Sequence, residues 1–305
     1  MKQILYSVLD FLRRVDKVLF GLCIICAGFS MLLLYSIYAN GFMTSSRSVW
    51  IQLAATIIGI AAAVVMSMVD YELMAKLWKF HLPFTVFLVL LTFVFGIQRE
   101  GADDKAWLDL GITTIQPSEF LKISFIVTFA YHLSKVKNHL NTPKTLGLLL
   151  LHMVAVSGLI VVQGDFGSAL IFLFIGICML IVAGLSWKVI LGGVISLPVV
   201  GFLVWNFIFS DLHRRRVIIA FNPALDPSGD GYQQMRGRIA LGSGQLFGRG
   251  LFADNLTSVP EMRNDFIFSY IGQTLGFVGC IVTVALLIAI CVRILYVSRL
   301  SQDAL

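Results

Sequence analysis

The sequence predicts an all-α polytopic membrane protein with about eight transmembrane helices and one long extracellular loop between helices 7 and 8. Hydrophobic residues make up 58% of the 305-residue chain and charged residues only 13%. The mean hydropathy is +0.89, whereas soluble domains carry roughly 25% charged residues. Apolar runs of about 20 residues, long enough to cross a bilayer as helices, recur along the chain. They lie near residues 18–38, 49–69, 80–97, 118–135, 145–162, 168–186, 188–209 and 265–297.

These runs are too long for the strands of a membrane barrel, so every span is predicted to be helical. We expect a single transmembrane domain over residues 1–305, within which residues 210–264 form the long extracellular loop. With the N-terminus in the cytoplasm, the inner segments carry twelve lysine and arginine residues, and the short outer loops carry three, Arg47, Arg99 and Lys105. This asymmetry follows the positive-inside rule. The net charge of +6 therefore reports orientation, and no nucleic-acid partner is expected.

The loop at residues 210–264 departs from that rule. It faces outward in this topology, yet it contains seven arginines: Arg214, Arg215, Arg216, Arg236, Arg238, Arg249 and Arg263. The structural explanation of these arginines is that long loops tolerate either sign of charge. The functional alternative is an anion site, because the guanidinium fork matches the geometry of phosphate.

Charged residues also stand at the start of the fourth span. Pro117 and Glu119 form a normal helix start, which is a purely structural explanation of Glu119. Lys122 lies about one turn inside the apolar segment, where a charge is costly. Glu119 and Lys122 are three residues apart and can pair on one helix face. An intramembrane pair that faces a cavity is typical of a functional site. The structural alternative is that Lys122 snorkels to the membrane surface.

Three more residues are candidate site residues because they lie in polar segments next to the predicted spans. Asp165 stands in the short gap between the fifth and sixth spans, where it is either a helix N-cap or part of a site. Asp265 precedes the last span, with the same two alternatives. Trp107 lies in the polar loop 98–117, whereas the other tryptophans fall near span ends as an aromatic belt. In the predicted topology all these candidates belong to the outer half of the protein.

Two other patterns predict little chemistry. No metal-ligand spacing appears among the five histidines, which are His81, His132, His139, His152 and His213. The glycine-rich segment 242–250 lacks the preceding strand and the closing lysine of a nucleotide-binding loop. That segment is either a backbone nest for an anion or a flexible turn.

Taken together, the motifs resemble those of the SEDS family (shape, elongation, division and sporulation proteins, the RodA/FtsW/SpoVE group). The matching stretches occur in the family's order and cover nearly the whole chain. They are residues 105–111 (KAWLDLG), 116–122 (QPSEFLK), 163–170 (QGDFGSAL), 242–244 (GSG) and 263–268 (RNDFIF), followed by Gly272 and residues 275–277 (LGF).

The resemblance implies a peptidoglycan glycosyltransferase that polymerises lipid II at the outer face of the cytoplasmic membrane, in cell elongation, division or sporulation. It also implies a class B penicillin-binding protein as partner. Asp265 aligns with the family's essential aspartate and is expected to be the general base. The residues expected to bind substrate are Trp107, Glu119, Lys122, Asp165, Arg215, Arg216, Arg236 and Arg238.

Negative charge that builds on the leaving pyrophosphate would be stabilised by Lys122 and the four arginines of this set, or by a divalent cation such as Mg²⁺ or Mn²⁺. Two alternative functions are a lipid II flippase and a non-catalytic scaffold that activates a partner synthase. An obvious pair of inverted repeats with broken helices, as in many transporters, does not appear in the sequence.

The sequence departs from the family pattern at three places. Gly164 replaces a proline before Asp165, which predicts a looser turn there. Arg263 and Asn264 replace the His-Thr pair before Asp265. The family has ten spans, so the last two helices and their connecting loop are expected to be missing from a chain with eight.

Overall fold

The computed structural model describes residues 15–98, 105–111 and 113–300. Each of the eight predicted spans coincides with a helix. The helices are α1 (Lys17–Ala39), α2 (Arg47–Met66), α3 (Tyr71–Lys76), α4 (Trp78–Phe95), α5 (Pro117–Val136), α6 (Pro143–Gln163), α7 (Phe166–Val182), α8 (Trp187–Leu203, extended by a π-turn at Val204–Ile208), α9 (Asp211–Phe221), α10 (Tyr232–Ser243) and α11 (Ile267–Leu300).

The all-α polytopic membrane fold is confirmed. In the described ranges, six helices are long and apolar enough to cross a membrane, and α7 is a shorter apolar helix. Helix α5 is not among the six, so the number of eight spans stays a prediction. Helices α2 and α8 have no buried side chain, as expected for helices whose apolar surface faces lipid. The sequence also predicts an amphipathic cytoplasmic stretch at residues 1–17, of which residues 1–14 lie outside the described residues.

Two local features were not predicted. Segment 98–117 contains a small antiparallel hairpin, β1 (Leu108–Asp109) and β2 (Thr114–Ile115). Segment 210–264 carries the helices α9 and α10 and a 3-10 turn at Pro223–Leu225. This segment is therefore a partly helical region, because polar, arginine-rich sequence can form helices wherever one side packs on the protein.

The chain divides into two compact units. The inserted unit, residues 69–200, has a core of aromatic and aliphatic side chains from α4, α5, α6 and α7. Phe125 stacks on Phe129 with ring centroids 5.2 Å apart, and Phe172 packs against Phe125 at 5.6 Å. Gly176 on α7 lies against Met153 on α6, so these two helices approach closely where the side chain is absent.

The terminal unit, described over residues 15–68 and 201–300, has its own core. Leu33 and Ile37 of α1 pack with Tyr270 and Ile271 of α11 and with Ala240 of α10. Polar groups within this core are paired. The hydroxyls of Ser36 and Tyr270 are 2.6 Å apart, and the Asn40 amide donates to the carbonyl of Leu251 at 2.7 Å.

Helix α11 is broken at Gly276, which has φ +67° and ψ −165°. The predicted last span is therefore a short helix, residues 267–275, followed by a longer one, residues 277–300. The glycine-rich segment 242–250 fills the break. The amides of Phe277 and Val278 donate to Gln245 and Leu246 carbonyls at 2.8 and 3.1 Å, and those of Arg249 and Gly250 donate to Gln273 and Thr274 carbonyls at 3.0 and 2.9 Å.

This docking satisfies backbone groups that a broken helix would otherwise leave without partners in an apolar environment. It also requires glycines. A Cβ on Gly248 would collide with the Thr274 backbone, and a Cβ on Gly276 would collide with the backbone of Gly248 and Leu246. The glycine-rich segment thus packs against α11, so neither the flexible turn nor the solvent-facing nest describes it.

Lowering the pH should destabilise the terminal unit through Asp16, the N-cap of α1. Arg293 donates Nε and Nη2 to the two Asp16 carboxylate oxygens at 2.9 and 2.6 Å, and the Leu19 amide donates to Oδ1 at 2.7 Å. The guanidinium and the amide hold the pKa of Asp16 at about 2. A carboxyl whose pKa is depressed on folding stabilises the protein above its unfolded pKa of about 4, and this contribution is lost as the pH falls towards 2.

The variant D16N keeps an N-cap oxygen but loses the charge. We expect its melting temperature in detergent to lie below that of the wild type at pH 7, with the gap closing between about pH 4 and pH 2. The control is D254N, since Asp254 is exposed and should show no such gap. A constant gap for D16N across this pH range would exclude the proposed linkage.

Candidate functional site

Asp265 lies in the turn that leads into α11. Its side chain is exposed, and among the described residues it forms neither a hydrogen bond nor an ion pair. The first amides of α11 are bound by backbone carbonyls: Ile267 donates to Asn264 and Ser269 to Phe266. The capping explanation of Asp265 therefore has no support, and its carboxylate is left for other chemistry.

The turn before Asp265 is built around Glu261, which has φ +52°. The amides of Asn264 and Phe266 donate to the Glu261 carbonyl at 3.0 and 3.2 Å, and the Asn264 side chain donates to the Glu261 carboxylate at 2.7 Å. Met262 is buried in the core of the terminal unit. Anchored at Met262, the turn presents its polar side chains, Asp265 among them, to solvent.

A cavity of about 470 Å³ adjoins this turn, lined by residues 37, 42–45, 47, 48 and 258–263. Its lining includes two arginines, Arg47 and Arg263, the serines Ser45 and Ser48, and one acidic residue, Glu261. Arg263 Nη1 donates to Ser48 Oγ at 3.4 Å, which links the start of α2 to the turn that carries Asp265. Two guanidinium groups and hydroxyl donors in one cavity can bind an anion such as a phosphate.

Arg47 was missed as a candidate by reasoning from the sequence. A signal was present, because Arg47 is one of the three basic residues in the short loops predicted to lie outside. Arg263 was counted only as a member of the arginine-rich loop. The two come together because α1 packs on α11, a contact that joins distant parts of the chain.

The four arginines predicted to bind substrate have different surroundings. Arg215 on α9 is ion-paired with both Asp226 and Asp230, and the Arg215 guanidinium lowers the pKa of Asp226. Arg236 on α10 donates to the Ser258 carbonyl at 2.9 Å. Arg238 lines an apolar groove of about 720 Å³ beside α11. Arg216 lies on α9. The charge of Arg215 is thus already balanced within the loop.

Glu119 and Lys122 form the predicted pair in the inserted unit. Lys122 Nζ donates to Glu119 Oε1 at 2.7 Å on one face of α5. The Lys122 side chain is 18% exposed and that of Glu119 is 56% exposed. A pair that is open on one side contributes little to stability, so stability alone does not account for placing Lys122 one turn inside the helix.

Asp165 has a structural role in the inserted unit. Its Oδ1 accepts from the Ser168 amide at 2.8 Å as the N-cap of α7, and its Oδ2 accepts from Gln116 Nε2 at 2.8 Å. Gly164 before it has φ +94° and ends α6, a conformation that proline cannot adopt. The turn is closed by backbone hydrogen bonds from Gly164 to Val161 and from Asp165 to Ile160, so the expectation of a loose turn was wrong.

Trp107 lies at the base of the hairpin in segment 98–117. The Ile97 amide donates to the Trp107 carbonyl at 2.8 Å, and Leu108 pairs with Ile115 in the strand ladder. Trp107 is half-buried. The hairpin therefore fixes the backbone on both sides of this side chain, as a positioned binding residue needs.

The predicted site residues divide between the two units. Asp265 and the arginines belong to the terminal unit, and Trp107, Glu119, Lys122 and Asp165 belong to the inserted unit. That they serve one site remains a prediction. Within the described ranges there is no group of three or more His, Cys, Asp or Glu side chains able to hold a metal ion. A divalent cation at Asp265 would have to take most of its ligands from substrate phosphates and water.

The helices that cross the membrane and the arginine-lined cavity beside an exposed carboxylate define a multi-pass membrane protein with a polar site in a loop region. The sequence profile of the FtsW/RodA/SpoVE family, described as cell cycle protein, matches residues 16–305. The chain belongs to this family.

Curated relatives share about a third of the residues. The chain is 31% identical over 302 residues to the probable peptidoglycan glycosyltransferase FtsW of Trichlorobacter lovleyi, covering 96% of this chain and 78% of the relative. It is 31% identical over 252 residues to the peptidoglycan glycosyltransferase MrdB of Escherichia coli K12, covering 80% of this chain and 67% of the relative.

Solved structures share the fold. A chain in a structure titled as a peptidoglycan synthase complex that coordinates polymerization and crosslinking has a TM-score of 0.71 and 23% identity, covering 90% of this chain and 76% of that one. The rod shape determining protein RodA of Thermus thermophilus has a TM-score of 0.58 and 21% identity, covering 90% and 72%.

Proposed function

We propose that this chain is a peptidoglycan glycosyltransferase that polymerises lipid II into glycan strands at the outer face of the cytoplasmic membrane. The observation that carries the proposal is the exposed Asp265 carboxylate, which has no partner in the described ranges. It occurs in a chain 31% identical to proteins named peptidoglycan glycosyltransferases. A carboxylate without a structural role, in a turn whose residues 260–263 line a cavity with two arginines, suits a general base.

Asp265 acts on the acceptor. Its carboxylate takes the proton from the sugar 4-hydroxyl of an incoming lipid II as that oxygen attacks the anomeric carbon of the growing, lipid-linked glycan. A new glycosidic C–O bond forms, the bond from the anomeric carbon to the pyrophosphate breaks, and the lipid pyrophosphate leaves. The proton on Asp265 then passes to water, which is available because the side chain is exposed.

Negative charge that develops on the leaving pyrophosphate needs fixed positive groups. Arg47 and Arg263 are the best placed in the terminal unit, since both line the cavity beside the Asp265 turn. Arg215 is a weaker candidate because two aspartates already neutralise it. The other proposed substrate ligands are Trp107, Glu119, Lys122, Asp165, Arg216, Arg236 and Arg238. A Mg²⁺ or Mn²⁺ ion bound through substrate phosphates remains a proposed cofactor.

The partner and the orientation belong to the same proposal. A class B penicillin-binding protein would crosslink the strands that this chain makes. The similar fold in a peptidoglycan synthase complex that polymerises and crosslinks supports such a partner. The charge asymmetry of twelve against three basic residues supports a cytoplasmic N-terminus.

The test is an assay of the purified chain with lipid II in proteoliposomes, with and without a class B penicillin-binding protein. We expect lipid-linked glycan polymers, resolved by gel electrophoresis and degraded by a muramidase. Translocation of lipid II without polymer would favour the flippase instead. Binding of the penicillin-binding protein with neither activity would favour the scaffold.

A further inference from the structure

A groove in the surface of the inserted unit is lined by the three helices α4, α5 and α6. Its volume is about 460 Å³, within the roughly 300–1,000 Å³ that is usual for ligand sites. The walls contributed by α4 and α6 are mostly apolar, and they carry Trp78, Leu82, Leu148, Leu151 and Ala155. Leu148 and Leu151 are exposed, as expected for a wall that faces lipid. This side of the groove offers an acyl chain an apolar surface.

The α5 side of the groove is polar. His132 Nδ1 lies 3.4 Å from Nδ1 of His152 on α6, and His152 Nε2 lies 3.4 Å from Thr128 Oγ1. The two histidines therefore hydrogen-bond within the protein and join α5 to α6. Two further polar groups line the groove, the Lys135 ammonium and the Tyr131 hydroxyl. Neither forms a hydrogen bond with any described residue, so both are available to a ligand.

The positive charge lies at the end of the groove that meets the membrane surface. Lys135 is in the last turn of α5, and Trp78 is the first residue of α4. Both residue types are typical of the boundary between lipid and water. From Lys135 to Thr128 the groove extends roughly 10 Å into the span, at a rise of 1.5 Å per residue. None of the described residues that line it is acidic. The groove therefore matches an amphiphile with an anionic head at the surface and an apolar chain below it.

We propose that this groove binds an anionic phospholipid of the bilayer. The phosphate lies at Lys135, the Tyr131 hydroxyl donates to the polar part of the lipid, and an acyl chain lies along the apolar wall of α6. The site is separate from the proposed substrate ligand Lys122, because Lys122 and Lys135 are roughly 20 Å apart along α5 at 1.5 Å per residue. The binding of this lipid does not depend on the polymerisation of lipid II. Its role is to join α4, α5 and α6 at the membrane surface.

Binding can be measured through the fluorescence of Trp78, which lines the groove. A full-length parent variant keeps Trp78 and has phenylalanine in place of the other four tryptophans. It is reconstituted in vesicles of phosphatidylcholine with an increasing fraction of phosphatidylglycerol. Bromine atoms on the acyl chains of either lipid quench a tryptophan that the chains contact. We expect brominated phosphatidylglycerol to bind about fivefold more tightly than brominated phosphatidylcholine, the preference that one lysine near a membrane surface provides.

The variant K135Q should bind the two lipids equally, because it keeps a long polar side chain but loses the charge. The matched control is K188Q. Lys188 is exposed at the start of α8 and does not line the groove, so K188Q should keep the fivefold preference. Equal binding of the two lipids by the parent variant, or an unchanged preference in K135Q, would overturn the proposal. Stronger displacement of the brominated lipid by undecaprenyl phosphate than by unlabelled phosphatidylglycerol would assign the groove to a polyprenyl lipid instead.

A second measurement uses the protein with all its tryptophans, in case the single-tryptophan variant folds poorly. In detergent, phosphatidylglycerol should raise the melting temperature of the wild type more than phosphatidylcholine with the same chains does, because a ligand of the folded state stabilises it. K188Q should show the same difference between the two lipids, and K135Q should show none. The same rise with both lipids in the wild type would mean that the groove holds bulk lipid without selecting its charge.

Discussion

Replacing Asp265 with asparagine should abolish polymerisation of lipid II while leaving the protein folded in the membrane. A general base contributes roughly 10²–10⁴-fold to a rate, and asparagine is similar in size but cannot accept the proton. Asp265 is exposed and bonds to no described residue, so the free energy of unfolding should change by less than about 0.5 kcal/mol. The measurements are polymer formed per unit time and the melting temperature in detergent.

The matched control for this experiment is D254N. Asp254 is another exposed aspartate in the segment between α10 and α11, and its replacement removes the same charge at a different place. We expect D254N to retain the polymerisation rate of the wild type. Polymer made by D265N at the wild-type rate would refute the assignment of Asp265. An equal loss in both variants would mean that negative charge in this segment matters more than the position of one base.

Replacing Gly276 with alanine should strongly destabilise the terminal unit. Gly276 has φ +67° and ψ −165°, a region essentially restricted to glycine that costs a residue with a Cβ about 1–3 kcal/mol, and its Cβ would overlap the backbone of Gly248 and Leu246. Overpacking of this kind adds about 1–3 kcal/mol. The expected total of about 2–6 kcal/mol corresponds to a fall in melting temperature of roughly 5–20 °C, measured by thermal unfolding in detergent.

Gly242 supplies the control for this substitution. It lies on α10 in the same glycine-rich segment, and a Cβ there would meet no atom within 4 Å. Alanine favours a helix over glycine by up to about 1 kcal/mol, so G242A should be as stable as the wild type or slightly more so. Similar melting temperatures for G276A and the wild type would show that the docking of segment 242–250 onto α11 does not hold the break in place.

The spans and the Glu119–Lys122 pair could be predicted because they depend on local sequence. An apolar run fixes a span by its length, and a spacing of three residues places both charges on one helix face. The break in α11 could not be predicted, since Gly276 stands in an apolar run that reads as one continuous helix. Only the docking of a segment about 30 residues earlier in the chain reveals why the helix stops there.

Contacts between distant residues explain the remaining differences. Arg215 looked like a free phosphate ligand until the fold placed Asp226 and Asp230 against it. His132 and His152 are 20 residues apart in the sequence, and their contact could not be predicted because it depends on how α5 packs against α6. Asp165 was predicted equally well as a cap or as a site residue. The Ser168 amide confirms the cap, and binding of substrate by Asp165 stays a prediction.

The division into two units has a consequence for the order of folding during synthesis. The inserted unit is continuous, so all its helices are available once residue 200 has been made. In the terminal unit, the N-cap residue Asp16 can form its ion pair only after Arg293 has been synthesised. Helix α1 can pack against Tyr270 only after that residue has been synthesised. Because such distant contacts form late, α1 stays in the bilayer without its contacts to α11 until Tyr270 and Arg293 have left the ribosome.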